Sequence, residues 1–374
     1  MIKLNILSLF DGMACGMLAM QKAGVKVDTY TAYEIDKYAI QTATHNFPMI
    51  KECGDVFSAD FTQYKDIDYI IGGSPCTYWS IAQKNKRETE ASGLGWELFS
   101  QYVRALNDVK PKFFIYENNK SMSSAIRESI TKTFGFEPIC INSALVSAQN
   151  RNRLYWVGKR NNDGTYSKVN VEQPEDCDVL LKDILDNGYD LTVNDKSWAL
   201  TASYNGAVPW NTIERCQRNM VAEPVTDAIR VGSLPRPNGE LSTSQAMRIY
   251  STEGKSVNLV SGGGGMGGKT GLYAVPVEFK DNIPTKAVSY ADGKTYTVYE
   301  VKNGLITIKG KEYPIKLNDG YYIIRKLTVS ECKRLQTVPE WYEFPVSDTQ
   351  AYKMLGNGWT VDVIAHLIKA TLNT

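Results

Sequence analysis

Asp68-Tyr-Ile-Ile-Gly-Gly-Ser-Pro-Cys-Thr-Tyr-Trp-Ser80 decides how the chain is read. The apolar run at 69–71 predicts a short buried strand. Gly72-Gly73 predicts its end, where a backbone without side chains lets a ligand come close. Pro75 then fixes the chain direction and removes one hydrogen-bond donor just before Cys76. Taken alone, a cysteine there is more readily a packed, inert side chain than a reactive one. What the neighbouring segments supply settles the matter.

Upstream, residues 3–10 alternate and then turn fully apolar, as a strand entering a core does. Asp11-Gly-Met-Ala-Cys-Gly16 is a turn with two glycines, followed by an apolar helix over 17–23 that Gly24 stops. A strand, a glycine turn and a helix start leave backbone N–H groups pointing into the turn, which suits a nucleotide or another anion. Residues 27–33 predict a second strand ending in Glu34, with a helix over 37–47. Gly54-Asp55-Val56 closes a third short strand. An acid about 20 residues past the glycine turn suits a ribose diol. There is no Gly-x-x-x-x-Gly-Lys-Ser/Thr and no Gly-x-Gly-x-x-Gly, so neither a triphosphate nor a dinucleotide site is expected. A non-phosphorylated adenosine cofactor fits better, with hydroxyls on Glu34, a base edge on Asp55 and an amino-acid-like end near the turn.

Downstream, the polar segment 81–95 with Lys84, Lys86 and Arg87 is either a solvated loop or a mobile lid touching phosphates. A helix over 96–109 leads to Phe113-Phe-Ile-Tyr-Glu-Asn-Asn119, a strand ending in a carboxylate and two amides. Glu117 is a candidate acid beside Cys76 if the two strands are neighbours. A helix ending near Phe134 and a strand over 136–142 follow. Gln149-Asn-Arg-Asn-Arg-Leu-Tyr-Trp-Val-Gly158 then places Arg151 and Arg153 on one side of an extended segment.

Bulk properties narrow the options. A chain of 374 residues holds one large domain or two. Its 43% hydrophobic and 22% charged residues are ordinary for a globular protein. Seven scattered cysteines without a Cys-x-x-Cys pair, and only two histidines (His45 and His366), argue against a disulfide framework and against a metal site. A reducing, cytoplasmic setting is expected. No apolar run reaches membrane-spanning length, and Met1-Ile-Lys-Leu-Asn5 lacks a signal-peptide pattern. With a net charge of +1, any surface for a polyanion must gather its basic residues on one face.

From about 160 to 324 the helix–strand alternation gives way to Gly, Pro, Asn and short Thr/Tyr/Val runs. Lys196-Ser-Trp-Ala-Leu200 is echoed by Lys255-Ser-Val-Asn-Leu259, a weak sign of a repeat. Asp292-Gly, Asn303-Gly and Asp319-Gly between β-rich runs predict stacked hairpins. Ser261-Gly-Gly-Gly-Gly-Met-Gly-Gly268 is either a flexible loop or a backbone that approaches a ligand closely.

Four blocks, Phe10-Asp-Gly12, Gly72-Gly-Ser-Pro-Cys76, Tyr116-Glu-Asn118 and Gln149-x-Arg-x-Arg153, together resemble the cytosine-C5 DNA methyltransferase family. The tail agrees. Arg325-Lys-Leu-Thr-Val-Ser-Glu-Cys-Lys-Arg-Leu-Gln336 resembles its penultimate block, and there Thr328 and Glu331 also form a capping box. Tyr352-Lys-Met-Leu-Gly-Asn-Gly-Trp-Thr-Val361 resembles the last block and leads into an amphipathic helix over 360–371. The likeness covers roughly 3–159 and 325–372. Met13-Ala-Cys-Gly16 departs from the common bacterial Phe-x-Gly-x-Gly-Gly by one extra residue and is closer to the de novo mammalian branch. Asn119 replaces the usual Val after Glu-Asn.

The resemblance implies an α/β fold. A Rossmann-like S-adenosylmethionine-dependent methyltransferase domain (1–159 plus 325–374) would carry an inserted β-rich target-recognition domain (160–324). It implies S-adenosyl-L-methionine against Phe10, Gly12, Met13 and Pro75, with Glu34 on the ribose and Asp55 near the adenine amine. Ile35 and Val56 would flank the adenine, and the block from Asn357 to Thr360 would close the pocket. It implies a Cys76 thiolate adding to C6 of cytosine, Glu117 at N3, Arg153 on the O2 carbonyl and Arg151 close to the thiol. The base would be flipped out of the stack, with loop 81–95 closing behind it.

Ser80, Gln83, Asn118, Arg230 and Arg248 are candidate substrate contacts. Arg215, Arg218, Arg236 and Lys269, interleaved with Tyr204, Trp210 and Tyr250, are further candidates in the middle region. The partner would be double-stranded DNA, engaged by a monomer away from any membrane. Nothing in the chain speaks for or against a cognate restriction endonuclease. Two alternatives compete. An RNA-directed branch with the same Cys/Glu chemistry is expected to carry a shorter middle region. A silent DNA-binding homologue has no chemical reason to keep Cys76, Glu117 and Arg153 together.

Overall fold

The computed structural model describes residues 3–80, 87–186, 189–190, 195–224, 230–233, 248–251, 272–274, 285–289, 291–308, 310–315 and 317–374. Strands β1 (Lys3–Leu9), β2 (Lys26–Tyr33), β3 (Lys51–Glu52), β4 (Tyr69–Gly72) and β5 (Phe113–Asn119) run parallel. Strands β6 (Ile139–Asn142), β7 (Asn152–Arg160) and β8 (Tyr166–Lys168) complete the sheet in the order β3-β2-β1-β4-β5-β7-β6, with β8 on β7. β7 is antiparallel to each of its neighbours. Helices α1 (Cys15–Lys22), α2 (Lys37–Asn46), α3 (Gly93–Val109) and α4 (Ser124–Phe134) make the connections.

Alternate strand residues cover both faces, as a mostly parallel sheet requires. Ile6, Ile71, Ile115 and Val157 pack with Met17, Ala43 and Leu367, whereas Leu7, Ile70, Phe114 and Trp156 pack with Phe99, Tyr102 and Phe134. The predicted strand and helix order is the observed one in this half, with shifted ends. α3 begins at Gly93, three residues ahead of the expected start. The Glu88 carboxylate explains this: it accepts from the Gly95 N–H (3.2 Å) and from Trp79 Nε1 (3.1 Å), satisfying a helix-start donor from a distance.

The rest of the chain comprises α5 (Leu181–Ile184), β9 (Tyr189–Asp190), α6 (Pro209–Arg215), β10 (Met220–Pro224), β11 (Arg230–Ser233), β12 (Arg248–Ser251), β13 (Leu272–Ala274), β14 (Lys286–Val288), β15 (Thr295–Lys302), β16 (Leu305–Ile308), β17 (Lys311–Pro314) and β18 (Gly320–Lys326). It ends in α7 (Val329–Leu335), α8 (Asp348–Asn357) and α9 (Val361–Leu372). A second sheet is ordered β17-β16-β15-β18-β10-β9, with β14 on β15, and β11-β12-β13 form a third. Asn303 (φ 53°) and Gly304 (φ 69°) make the tight turn of the β15–β16 hairpin, and Asp292-Gly293 sits between the paired strands β14 and β15. Asp319-Gly320 is a correction: β18 pairs with β15 and β10 rather than with β17, so no hairpin forms there. The echo at 255–259 and the glycine run at 261–268 lie outside the described residues.

Arg325, at the end of β18, enters a fully buried ion pair with Glu331 (2.8 Å). Glu331 closes the expected capping box, accepting from Thr328 N–H (2.7 Å) while its own N–H donates to Thr328 Oγ1 (3.1 Å). Among the described residues no helix is long and apolar enough to cross a membrane.

Candidate active site

The β4–β5 register sets Gly72 opposite Tyr116 and so brings Gly73 beside Glu117. A Cβ on Gly73 would lie 2.5 Å from the Glu117 carbonyl oxygen, so only glycine lets the chain pass this strand. The loop beyond is pinned to β5. Ser74 Oγ bonds Tyr116 OH (2.7 Å), and Asn118 Nδ2 donates to the Ser74 carbonyl (3.1 Å). Cys76 opens a short 3₁₀ turn, Cys76–Tyr78. The side chains of Cys76, Arg230 and Arg248, and all of Gln83, Arg236 and Lys269, lie outside the described residues. Ser80 is half-buried. Asn118, expected to contact substrate, is fully buried and holds the loop instead. Arg87 of the supposed lid is similarly occupied, donating to the carbonyls of Ser121 (2.6 Å) and Trp79 (3.1 Å).

Glu117 stands between two donors. Arg153 Nε lies 3.0 Å from Oε1, and Trp359 Nε1 donates to Oε2 at 3.0 Å. The first contact follows from the antiparallel register. Glu117 faces Tyr155 and Asn119 faces Arg153, so Glu117 and Arg153 are diagonal neighbours on one face. The Glu117 and Arg153 side chains keep 12% and 16% exposure, enough to meet a ligand. Trp359 belongs to the block expected to close the pocket, but no signal in the sequence points to its bond with Glu117.

Arg151 is buried, and its guanidinium donates to the carbonyls of Leu200 (2.9 Å), Gly356 (3.2 Å) and Gly358 (2.9 Å). β7 begins only at Asn152, so Arg151 lies outside the strand alternation that aims Arg153.

A cleft adjoins this corner at the C-terminal ends of the parallel strands. It is lined by Phe10, Asp11, Gly12 and Met13 after β1, Glu34 after β2, Gly73 to Pro75 after β4, and Lys353 and Asn357 to Trp359 from the tail. Phe10, Gly12 and Ala14 all have φ near +60°, a left-handed kink that non-glycine residues adopt rarely. Main-chain bonds from Phe10 and Asp11 to the Tyr33 carbonyl hold the kink, and the Tyr342 hydroxyl donates to the Met13 carbonyl.

Several expected cofactor residues sit differently. Glu34 lines the cleft, but its carboxylate already accepts from the N–H groups of Gly12, Ile35 and Asp36. Asp55 caps the turn Val56–Ser58 through the Phe57 N–H, Val56 is buried in the core, and Ile35 is 74% exposed. None of these three lines the cleft. Thr360 is buried, with its hydroxyl bonded to Ser143 and Gln336.

The cleft is acidic. Asp11 Oδ1 accepts from Ser8 and Tyr30, whereas its Oδ2 is buried without a partner. Burial pushes the Asp11 pKa up to about 6. Neither carboxylate oxygen of Glu52, at the end of β3, has a partner. Burial, with Asp11 and Glu34 as like charges, pushes its pKa up to about 8. An unpaired carboxylate oxygen in an acidic cleft suits a ligand that carries positive charge.

A sequence model of a family described as C-5 cytosine-specific DNA methylase matches residues 4–373. The chain belongs to that family. Among relatives of the methylase, the orphan methyltransferase M.SPRI of Bacillus phage SPR is 26% identical, covering 100% of this chain and 98% of the phage protein. The type II methyltransferase M.HhaI of Haemophilus parahaemolyticus is 25% identical over 99% and 95%. In fold, the methylase is similar to the Entamoeba histolytica methyltransferase EhMeth (TM-score 0.53, 14% identity, 100% and 99% covered). It is also similar to Spodoptera frugiperda DNMT2 (TM-score 0.51, 16% identity, 99% of each). The family's methyl donor is S-adenosyl-L-methionine. The unpaired Asp11 oxygen and the acidic lining fit its sulfonium and ammonium charges.

Proposed function

We propose that the protein methylates C5 of cytosine within a short target sequence of double-stranded DNA, through a covalent bond between Cys76 and C6 of a flipped-out base. The observation that carries this reading is the Arg153–Glu117–Trp359 constellation beside the loop that ends in Cys76.

Cytosine C5 is a poor nucleophile. Addition of the Cys76 thiolate to C6 forms an S–C bond and pushes an electron pair into the ring, making C5 an enamine carbon. Glu117, hydrogen-bonding at N3, and Arg153, at O2, stabilise the charge that develops. S-adenosyl-L-methionine, when bound, supplies the methyl group as an electrophile to C5. Removal of the C5 proton by a base then returns the electron pair, breaks the S–C bond and frees Cys76 as thiolate. The target atom lies within the base stack, so the nucleotide has to leave the helix first. The long β-rich middle region supports DNA over RNA as substrate.

Bisulfite sequencing of DNA from cells expressing the protein identifies the modified base and its target together. A duplex with 5-fluorocytosine at that target should trap a covalent complex, and Cys76→Ala should abolish it. Wild-type protein that forms no adduct would sink the mechanism. Tritiated methyl groups delivered to tRNA and not to DNA would favour the RNA-directed alternative.

A further inference from the structure

We propose that Trp359 is a positioning residue that ties occupancy of the cofactor cleft to the aim of Glu117; the inference rests on the methyl-transfer reading above. Trp359 and Glu117 both line the cleft, and the one donor of Trp359, the indole N–H, is spent on Glu117 Oε2 at 3.0 Å. The other carboxylate oxygen is held by Arg153 on the rigid sheet.

The two donors, one on each oxygen, fix the plane of the carboxyl group and with it the line of a hydrogen bond, through a shared proton, to N3 of a base. The donors differ in what holds them. Arg153 is set by strand register. Trp359 comes from a tail segment 242 residues away, anchored at the preceding carbonyl of Gly358 by Arg151 and Gln336. A ligand filling the cleft packs against the ring and restricts the indole. The indole in turn restricts Glu117. Without the indole N–H, the carboxylate is fixed at one oxygen alone and turns about its last bond.

The test is Trp359→Phe, which keeps an aromatic cover over the cleft and removes only the donor. Binding of S-adenosylhomocysteine is measured by calorimetry with and without a duplex carrying the target, and kcat and KM are measured on the same protein. The duplex should tighten S-adenosylhomocysteine binding to the wild type, and the variant should lose that tightening. Affinity without DNA should stay within about threefold, and kcat should fall about tenfold, as for one hydrogen bond to a charged group.

Three results would overturn the inference: no tightening in the wild type, the same tightening in the variant, or an unchanged kcat. A kcat loss matched by an equal loss of affinity without DNA would also overturn it, because Trp359 would then be only a wall of the cleft. Failure of the underlying reading is seen separately, as wild-type protein that transfers no methyl group to any duplex.

Discussion

Arg151 and Gly358, 207 residues apart, are joined by a hydrogen bond of 2.9 Å from the guanidinium to the carbonyl. The same guanidinium takes the Gly356 and Leu200 carbonyls. One side chain thus ties the approach to β7, the segment that begins the middle region's packing and the block that closes the cleft. The space is tight as well as polar. A Cβ on Gly356 would lie 2.2 Å from the Thr201 carbonyl carbon.

Arg151→Met should therefore act on stability and on the cleft together. It strips the donor from several carbonyls, at a cost of roughly 3 kcal/mol. The urea midpoint should fall, and S-adenosylhomocysteine should bind more weakly. Arg151→Lys, with three donors but no planar fork, should recover part of both. A variant with wild-type midpoint would refute the clamp.

Arg153→Ala should separate binding from chemistry. Arg153 contacts Glu117 and lies outside the cleft lining. Methyl transfer should slow by about 100-fold, the scale for losing a donor aimed at developing charge. S-adenosylhomocysteine affinity without DNA should hold. A parallel loss of both would place Arg153 in the cofactor site instead.

The Arg325–Glu331 pair, at 0% exposure on both sides, predicts a steep penalty for removing one partner. Arg325→Met leaves a buried carboxylate without its counter-charge, which costs about 3–5 kcal/mol. Glu331→Gln should cost less, since the amide keeps an acceptor for the Thr328 N–H. Thermal unfolding of the two variants ranks them. The reverse order would argue that the cap outweighs the ion pair.

Glu52 and Asp11 predict how stability depends on pH. Their carboxyl pKa values rise on folding, Glu52 from 4.5 to about 8 and Asp11 from 3.8 to about 6. Between these values the folded protein holds protons that the unfolded chain releases. Their contribution is then fully present below about pH 4 and is lost as pH rises towards 8. Glu52→Gln should flatten the decline between pH 5 and 8 and raise the unfolding midpoint at pH 8. Denaturation at several pH values checks the slope. An unchanged slope would mean that Glu52 is solvated in the native protein.

Sequence pattern disclosed what is local. The strand ending at Gly72, the glycine passage at Gly73 and the capping box at Thr328 follow from residues a few positions apart. Glu117 and Arg153 were both legible because each sits in a regular strand whose alternation fixes its face. Arg151 is read as sharing the Arg153 face because two residues separate them, yet the strand starts between them. Asn118 is read as a hand for a ligand, but the Ser74 main chain claims it first. Trp359 was beyond reach, since its contact with Glu117 depends on how the tail folds back over the sheet. The Asp319-Gly turn misled for a similar reason, because β18 finds its partners in β15 and β10, far along the chain.

β18 carries a lesson for anyone recombining members of this family. The strand pairs with β15 and β10 along its length, and its sixth residue is already one half of the buried pair with Glu331. A splice at residue 325 would cut through that pair. A junction in front of Gly320 keeps the pair and the α7 cap intact, but the incoming segment must then supply its own edge for β18 to zip against.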